Sequence, residues 1–191
     1  MATARTQPIR PESREQAIAR STMLLLLGAE GVFFLTLVMV ALYLRTNELH
    51  SQFAAFRPSL LLPVTNTVVL GCSAFTMWWA HRSVGHDRTT MLRRLLLVTI
   101  LCSAFFVGGQ VVEFLRSGMA PWEEGLGGLF FTLLGFHATH VVAGMIVLSA
   151  LLIRAYLGDF DAESHVAVTM GAWFWYFVTA VWVVLFYLLY L

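Results

Sequence analysis

The chain has 191 residues, of which 59% are hydrophobic and only 12% are charged, and its formal net charge is +1. This composition excludes an ordinary soluble domain and predicts a membrane protein with several spanning helices and short loops. The nearly neutral charge gives no indication of nucleic-acid binding.

The first twenty residues are polar and contain four arginines, and a long apolar run follows them. The run is longer than the roughly 7–15 residues of a signal-peptide core, and no small-residue cleavage site follows it. We therefore expect residues 1–20 to form a cytoplasmic polar tail, and residues 21–191 to form a transmembrane domain that begins with a retained helix.

Five long apolar segments predict an all-α integral membrane protein, a bundle of five transmembrane helices. The segments are too long for strands and lack the alternation of a membrane barrel. They lie at about 21–44, 60–80, 94–115, 127–153 and 167–190. With the N-terminus in the cytoplasm, nine of the twelve arginines fall on the cytoplasmic side. The positive-inside rule therefore predicts a cytoplasmic N-terminus and a C-terminus outside.

Glu30 is the one charged residue within the first apolar segment, residues 21–44. At about 1.5 Å per residue it lies roughly 14 Å into this segment, near the middle of a hydrocarbon core about 30 Å thick. A charged group there costs about 2.5 kcal/mol or more, so it is expected to face protein and to have a function. The alternative is a protonated glutamate that is hydrogen-bonded for structural reasons.

His137 and His140 lie three residues apart on the fourth predicted helix, so they share a helix face. A metal site would need further ligands, for which Glu30, Asn66 and Gln110 are the polar candidates at that depth. Haem ligation would need a histidine from a second helix at the same depth. Neutral histidines hydrogen-bonded within the bundle are the third interpretation. A sharper hypothesis pairs one histidine with Glu30, which would relieve the cost of burying the carboxyl group.

Other polar residues have simpler interpretations. Gln110 and Glu113 form a second pair at i and i+3, in which Glu113 is expected to reach interfacial water. Asn66 and Thr67 are expected to be hydrogen-bond partners between helices. Arg154, at the cytoplasmic end of the fourth helix, is either a lipid-phosphate contact or a topological charge.

The cytoplasmic ends of the helices are rich in titratable groups, which we name the cytoplasmic rim. Its members are His81, His86, Asp87, Asp159, Asp161, Glu163 and His165. Such groups either collect and buffer protons near an uptake entrance or are ordinary solvated loop residues. The sequence has no nucleotide-binding loop, CxxC pair or nucleophile elbow, so we expect no catalytic residue and no metal site in the chain itself.

Five short stretches occur in a characteristic order along the chain. They are PVTNT at 63–67, WAHRS at 79–83, QVVEF at 110–114, GFHATHVVAG at 135–144 and AWFWYFV at 172–178. Together they resemble subunit III of haem-copper terminal oxidases of the cytochrome c oxidase type, in the short five-helix form found in many bacteria. The resemblance extends over nearly the whole chain, from about residue 21 to 191.

This resemblance implies an accessory subunit that supports proton uptake and stability of subunit I during oxygen reduction. It implies that the chain binds no haem or copper, which belong to partner subunits, and that structural phospholipid is bound. It implies contact with subunit I, association with subunit II and other respiratory subunits, and a location in the bacterial cytoplasmic (inner) membrane. Glu30 matches the family's buried carboxylate, and Arg154 matches a position that contacts lipid phosphate.

Three residues depart from the family pattern. Tyr176 and Thr179 stand where many members have His and Asp, and Thr169 replaces an acidic residue. These departures leave the electron donor, cytochrome c or quinol, open. They also admit a quinol oxidase subunit III or a nitric oxide reductase accessory subunit. An alternative of another class is an independent proton-coupled transporter that uses Glu30 and the histidine pair.

Overall fold

The computed structural model describes residues 14–55, 59–85, 88–117, 125–160 and 165–191, and these residues form helices and short connections. The helices are α1 Arg14–Thr46, α2 His50–Ala55, α3 Leu61–Val84, α4 Thr89–Arg116, α5 Leu126–Leu157 and α6 Val166–Tyr190. All except α2 are long and apolar enough to cross a membrane. The prediction of an all-α bundle with five membrane helices is therefore confirmed.

The helix ends differ from the predicted boundaries. Helix α1 begins at Arg14, inside the segment that we assigned to the polar tail, and α4 begins at Thr89 rather than near residue 94. Apolar composition marks the part of a helix that lies in lipid, whereas the backbone hydrogen bonds continue into the polar flanks. The short helix α2 was not predicted, because six residues are too few to show a periodic pattern.

Helix α6 is the central helix of the bundle and packs against α1, α3 and α5. Helix α3 also packs against α4, and α4 against α5. Helix α1 lies at the edge, where only Phe34 and Ala41 of its residues are buried. Its position leaves most of its apolar surface outside the bundle.

Hydroxyl groups on α3 hold the two buried tryptophans of α6. The indole Nε1–H of Trp175 donates to Ser73 Oγ at 3.1 Å, and that of Trp182 donates to Thr67 Oγ1 at 3.0 Å. A buried indole N–H is costly to leave without an acceptor, so these bonds set the register of α6 against α3. The prediction of a hydrogen bond between helices is confirmed for Thr67, but neither amide atom of Asn66 has a partner within the described residues.

At each of the two ends of the bundle, polar contacts join neighbouring helices. At the first, which we name the Arg154 end, Arg93 Nε donates to the carbonyl oxygen of Ala155 at 2.9 Å, and His81 Nε2 lies 3.1 Å from Thr169 Oγ1. These contacts join α4 to α5 and α3 to α6, as expected for antiparallel neighbours.

At the opposite end, which we name the Glu113 end, Tyr190 donates its hydroxyl proton to Glu113 Oε1 at 2.5 Å. Arg45 Nη1 donates to the carbonyl oxygen of Leu188 and so joins α1 to α6. Helix α2 also contributes here, because Gln52 Oε1 accepts the backbone N–H of Leu126 at 2.9 Å and satisfies a donor in the first turn of α5.

Gly144 permits the close approach of α5 and α6. A Cβ atom at this position would lie 2.8 Å from the ring of Trp175. Trp175 is fully buried and held by Ser73, so it has little freedom to move away. Gly135, on the same helix, has no atom within 4 Å of such a Cβ and provides a matched control.

We predict that Gly144→Ala lowers the free energy of unfolding by about 1–3 kcal/mol, because the added methyl group overpacks the contact with Trp175. Gly135→Ala should be neutral or stabilising by up to about 1 kcal/mol, since alanine favours the helix. Thermal unfolding of the two purified variants, monitored by circular dichroism, measures the difference. Equal melting temperatures would contradict the proposed role of Gly144.

Candidate functional site

Glu30 lies midway along α1, on the side that meets α5. Its Oε2 atom is 3.0 Å from Nε2 of His140, and this contact joins the two helices. The His140 side chain is 17% exposed and the Glu30 side chain 29% exposed in the isolated chain. The pair therefore lies at the edge of the bundle, and not in its core as the sequence led us to expect.

Aromatic rings surround the imidazole of His140. The ring of Phe34 lies 4.9 Å from it in an edge-to-face arrangement, and that of Phe33 lies 6.5 Å away. Phe136 packs against Phe33 at 5.1 Å, and Phe177 of α6 packs against Phe34 at 6.1 Å. This apolar shell keeps the local dielectric constant low, which strengthens the hydrogen bond between Glu30 and His140.

The hydrogen bonds of His140 fix how many protons the pair holds. Nδ1 lies 2.7 Å from the carbonyl oxygen of Phe136, and a carbonyl oxygen only accepts, so Nδ1 must carry a proton. The contact between Nε2 and Glu30 then needs exactly one more proton. That proton lies either on Glu30, with both groups neutral, or on His140, with the two charges compensating each other. In either state the pair carries no net charge, which lowers the cost of placing a carboxyl group in the membrane.

His137 has different surroundings although it is only three residues away. Its side chain is fully buried in the core, with the ring 5.9 Å from that of Phe106 and 5.2 Å from that of Trp182. The hypothesis of a partnership with Glu30 therefore holds for His140 and not for His137. Within the described ranges, no three His, Cys, Asp or Glu residues come close enough together to bind a metal ion.

The other buried polar candidates lie in or near the core. Asn66 is fully buried, with its amide against the backbone of Gly109. Gln110 is 2% exposed, and its Nε2 donates to Glu113 Oε2 at 3.1 Å. Glu113 was expected to be solvated, but it accepts hydrogen bonds from both Gln110 and Tyr190. Glu113 is therefore hydrogen-bonded to neighbouring side chains, although its position near the end of the helix suggested that water would solvate it.

Arg154, the candidate lipid contact, lies in a small surface cluster. Its Nε donates to Asp159 Oδ2 at 3.1 Å, and its guanidinium lies 5.0 Å from the centre of the Phe160 ring. Both charged side chains are largely exposed, at 50% and 41%. An exposed pair of this kind contributes little to stability. Because the Arg154 side chain is exposed, it remains accessible to an anion.

The remaining rim residues divide into two groups. His81 is hydrogen-bonded to Thr169, and His165 precedes the first residue of α6. The other predicted members, His86, Asp87, Asp161 and Glu163, lie outside the described residues. Thr169 replaces the acidic residue of the family pattern and still provides a partner for His81.

The two other residues that depart from the family pattern, Thr179 and Tyr176, both carry a hydroxyl group inside the bundle. The Thr179 hydroxyl donates to the carbonyl oxygen of Trp175 at 3.0 Å, within its own helix. The Tyr176 hydroxyl is buried and has no partner within the described part of the chain. Nothing in the structure explains why tyrosine occupies this position.

Sequence reasoning missed the aromatic shell of the pair and the role of Tyr190. Phe33 and Phe34 follow Glu30 at i+3 and i+4, a spacing that places them on the same face of α1 and that offered a usable signal. Tyr190 offered no such signal, because its contact with Glu113 of α4 depends on how all the helices are arranged in the bundle.

Comparison with known proteins agrees with this arrangement. The family model described as Cytochrome c oxidase subunit III matches residues 16–191. Cytochrome c oxidase subunit 3 of Thermostichus vulcanus is 30% identical over 156 residues, which cover 80% of this chain and 78% of that protein. The Pongo abelii protein of the same name is 34% identical over 131 residues, or 69% of this chain and 50% of that protein. That of Triticum aestivum is 33% identical over 129 residues, or 68% and 49%.

The chain is thus a multi-pass membrane protein of the class that forms accessory subunits of haem-copper oxidases. It belongs to the cytochrome c oxidase subunit III family, and the family resemblance predicted from its motifs is confirmed. The chain covers most of the length of the Thermostichus relative but about half the length of the Pongo and Triticum relatives.

We predict that His140→Leu changes the infrared carbonyl absorption of the Glu30 carboxyl group, because the substitution removes its hydrogen-bond partner. His137→Leu should leave that absorption unchanged, since His137 has no contact with Glu30. Difference spectra of protein with isotope-labelled glutamate, with Glu30→Gln to assign the band, provide the measurement. A Glu30 absorption that is indifferent to His140→Leu would show that the pair is not formed.

Proposed function

We propose that this chain is the non-redox subunit III of a proton-pumping haem-copper terminal oxidase in a bacterial cytoplasmic membrane. In this proposal it contacts subunit I and supports that subunit's stability and proton uptake. The observation that carries the proposal is the family match, which runs through all five membrane helices at residues 16–191. The pairing of Glu30, which matches the family's buried carboxylate, with His140 of the GFHATHVVAG stretch supports it further.

The distribution of the arginines supports an orientation with the N-terminus in the cytoplasm. The Arg154 end of the bundle carries most of the arginines of the helices, including Arg82, Arg93 and Arg94, whereas the Glu113 end carries Arg45 and Arg116. By the positive-inside rule, the Arg154 end faces the cytoplasm. The rim residues His81, Asp159 and His165 then lie on the side from which protons are taken up.

The edge position of Glu30 and His140 supports assembly with a neighbour. Ionisable groups at membrane depth normally face protein or a water-filled cavity, yet both side chains remain partly exposed in the isolated chain. Helix α1 also leaves large apolar residues such as Leu25, Val32 and Leu35 exposed. We propose that subunit I and bound lipid cover this edge in the complex.

The role in proton uptake is indirect in this proposal. Titratable groups at the cytoplasmic surface raise the local concentration of exchangeable protons, and histidines buffer near neutral pH. Haem and copper are held by the partner subunits and carry out the electron transfer. The exposed guanidinium of Arg154 suits a phospholipid phosphate, which would share it with Asp159.

The assembly has a direct test. After gentle solubilisation, a tagged form of this chain should copurify with stoichiometric haem and copper. Removal of the chain from the complex should leave the haem spectrum intact, because the chain itself is expected to bind neither group. A lone oligomer that shows substrate-dependent proton flux in vesicles would instead support the independent transporter.

We predict that Asp159→Asn slows proton uptake by the oxidase at alkaline pH and low ionic strength by about two- to tenfold, because it removes a negative charge near the proposed entrance. Glu48→Asn is a suitable control, since Glu48 is an exposed acid beyond the end of α1, at the Glu113 end. Time-resolved uptake measured with a pH indicator dye provides the comparison. Unchanged uptake in Asp159→Asn would contradict a proton-collecting role for this residue.

A further inference from the structure

Among the described residues, three polar side chains in the core each have at least one buried polar atom without a hydrogen-bond partner. Asn66 and His137 are fully buried, and Gln110 is 2% exposed. Both amide atoms of Asn66, both ring nitrogens of His137 and Oε1 of Gln110 have no partner within the described part of the chain. Neither the Glu30–His140 pair nor the cytoplasmic rim involves these atoms.

Contacts among four helices place the three residues in one layer of the bundle. Asn66 packs against Gly109 of α4, which adjoins Gln110. The ring of Phe106, one turn before Gln110, lies 4.7 Å from Trp182. Further contacts complete the layer: Phe106 and Trp182 both pack on His137, and Trp182 is bonded to Thr67, the neighbour of Asn66.

The orientation of the Gln110 amide is fixed by its neighbour. Its Nε2 donates a hydrogen bond to Glu113 Oε2, and Glu113 Oε1 accepts a second hydrogen bond from the Tyr190 hydroxyl. The carbonyl oxygen Oε1 is therefore the atom that is left without a partner inside the bundle. Gln110 thus connects the buried layer to Glu113 near the end of the bundle.

Five buried polar atoms without partners would cost as much free energy as a typical domain gains by folding. Buried water commonly meets this need by bonding to two to four polar groups that the protein leaves unpaired. Asn66 offers donors and an acceptor, neutral His137 offers one of each, and Gln110 offers an acceptor. The layer therefore has the mixture of groups that a water molecule binds.

We propose that Asn66, Gln110 and His137 form a binding site for internal water in the core of α3–α6, connected through Gln110 to Glu113. This site is separate from the Glu30–His140 pair, which lies on the adjoining face of α5, next to α1. The proposal concerns the interior of this chain and does not depend on the proposed function. It makes His137 a residue that exchanges protons with water despite its complete burial.

Cryo-electron microscopy of the intact purified complex at high resolution tests the site directly. We expect ordered water density about 2.7–3.2 Å from the polar atoms of Asn66, Gln110 and His137. Direct hydrogen bonds among the three side chains, with no density between them, would overturn the proposal.

Solid-state NMR of the complex, with histidine labelled by nitrogen-15 in this chain, provides a second test. Magnetisation should pass from water protons to the ring nitrogens of His137, and this transfer should be lost in Asn66→Leu, which keeps a similar side-chain volume. Ser103→Ala is the matched control, because the buried Ser103 hydroxyl donates to the carbonyl oxygen of Thr99 at 2.6 Å and needs no water. Absence of water transfer in the unsubstituted protein would overturn the proposal even if Asn66→Leu fails to fold.

A separate substitution tests the connection of the site to Glu113 through Gln110. Gln110→Leu should slow deuterium exchange at the His137 ring by about tenfold or more, because exchange would then need local opening of the bundle. The Ser103→Ala control should exchange at the original rate. An unchanged rate in Gln110→Leu would contradict the connection through Gln110.

Discussion

A polar group inside a membrane bundle must find its hydrogen-bond partner within the protein or in bound water, because lipid offers none. This requirement accounts for the main contacts of the structure. The indole groups of Trp175 and Trp182 on the central helix bond to Ser73 and Thr67 of α3. Near the bundle edge, Glu30 of α1 bonds to His140 of α5. The apolar surfaces hold the helices together without selecting one register, whereas these few directional bonds specify which turns of neighbouring helices meet.

The Glu30–His140 pair meets the same requirement, and its geometry also determines how many protons the two side chains share. Because Nδ1 of His140 donates to the carbonyl oxygen of Phe136, the contact with Glu30 holds one further proton and no net charge. A membrane-depth carboxyl group can thus lie at an edge that contacts lipid or a neighbouring subunit. The arrangement suits a subunit whose edge is covered by a neighbour in an assembled complex.

The sequence was sufficient to predict the number and type of membrane helices, because long apolar runs have few alternatives in a bilayer. It also identified Glu30 and the histidines, since ionisable residues in such runs are conspicuous. It did not distinguish His140 from His137. Residues three apart point about 60° away from each other, and only the packing of α1 and α6 decides which faces the edge and which faces the core. Helix α2 and the contact of Glu113 with Tyr190 could likewise not be predicted from the sequence, because they depend on tertiary packing rather than on a local sequence pattern.

The central claim of this account is that Glu30 and His140 hold one proton between them. Solid-state NMR of the assembled complex, with labelled carboxyl carbon in glutamate and labelled nitrogens in histidine, measures the protonation of both groups directly. The account predicts a protonated Nδ1 in His140, together with either a protonated Glu30 beside a bare Nε2 or an ionised Glu30 beside a protonated Nε2. An ionised Glu30 beside a neutral His140 whose Nδ1 carries no proton would contradict it.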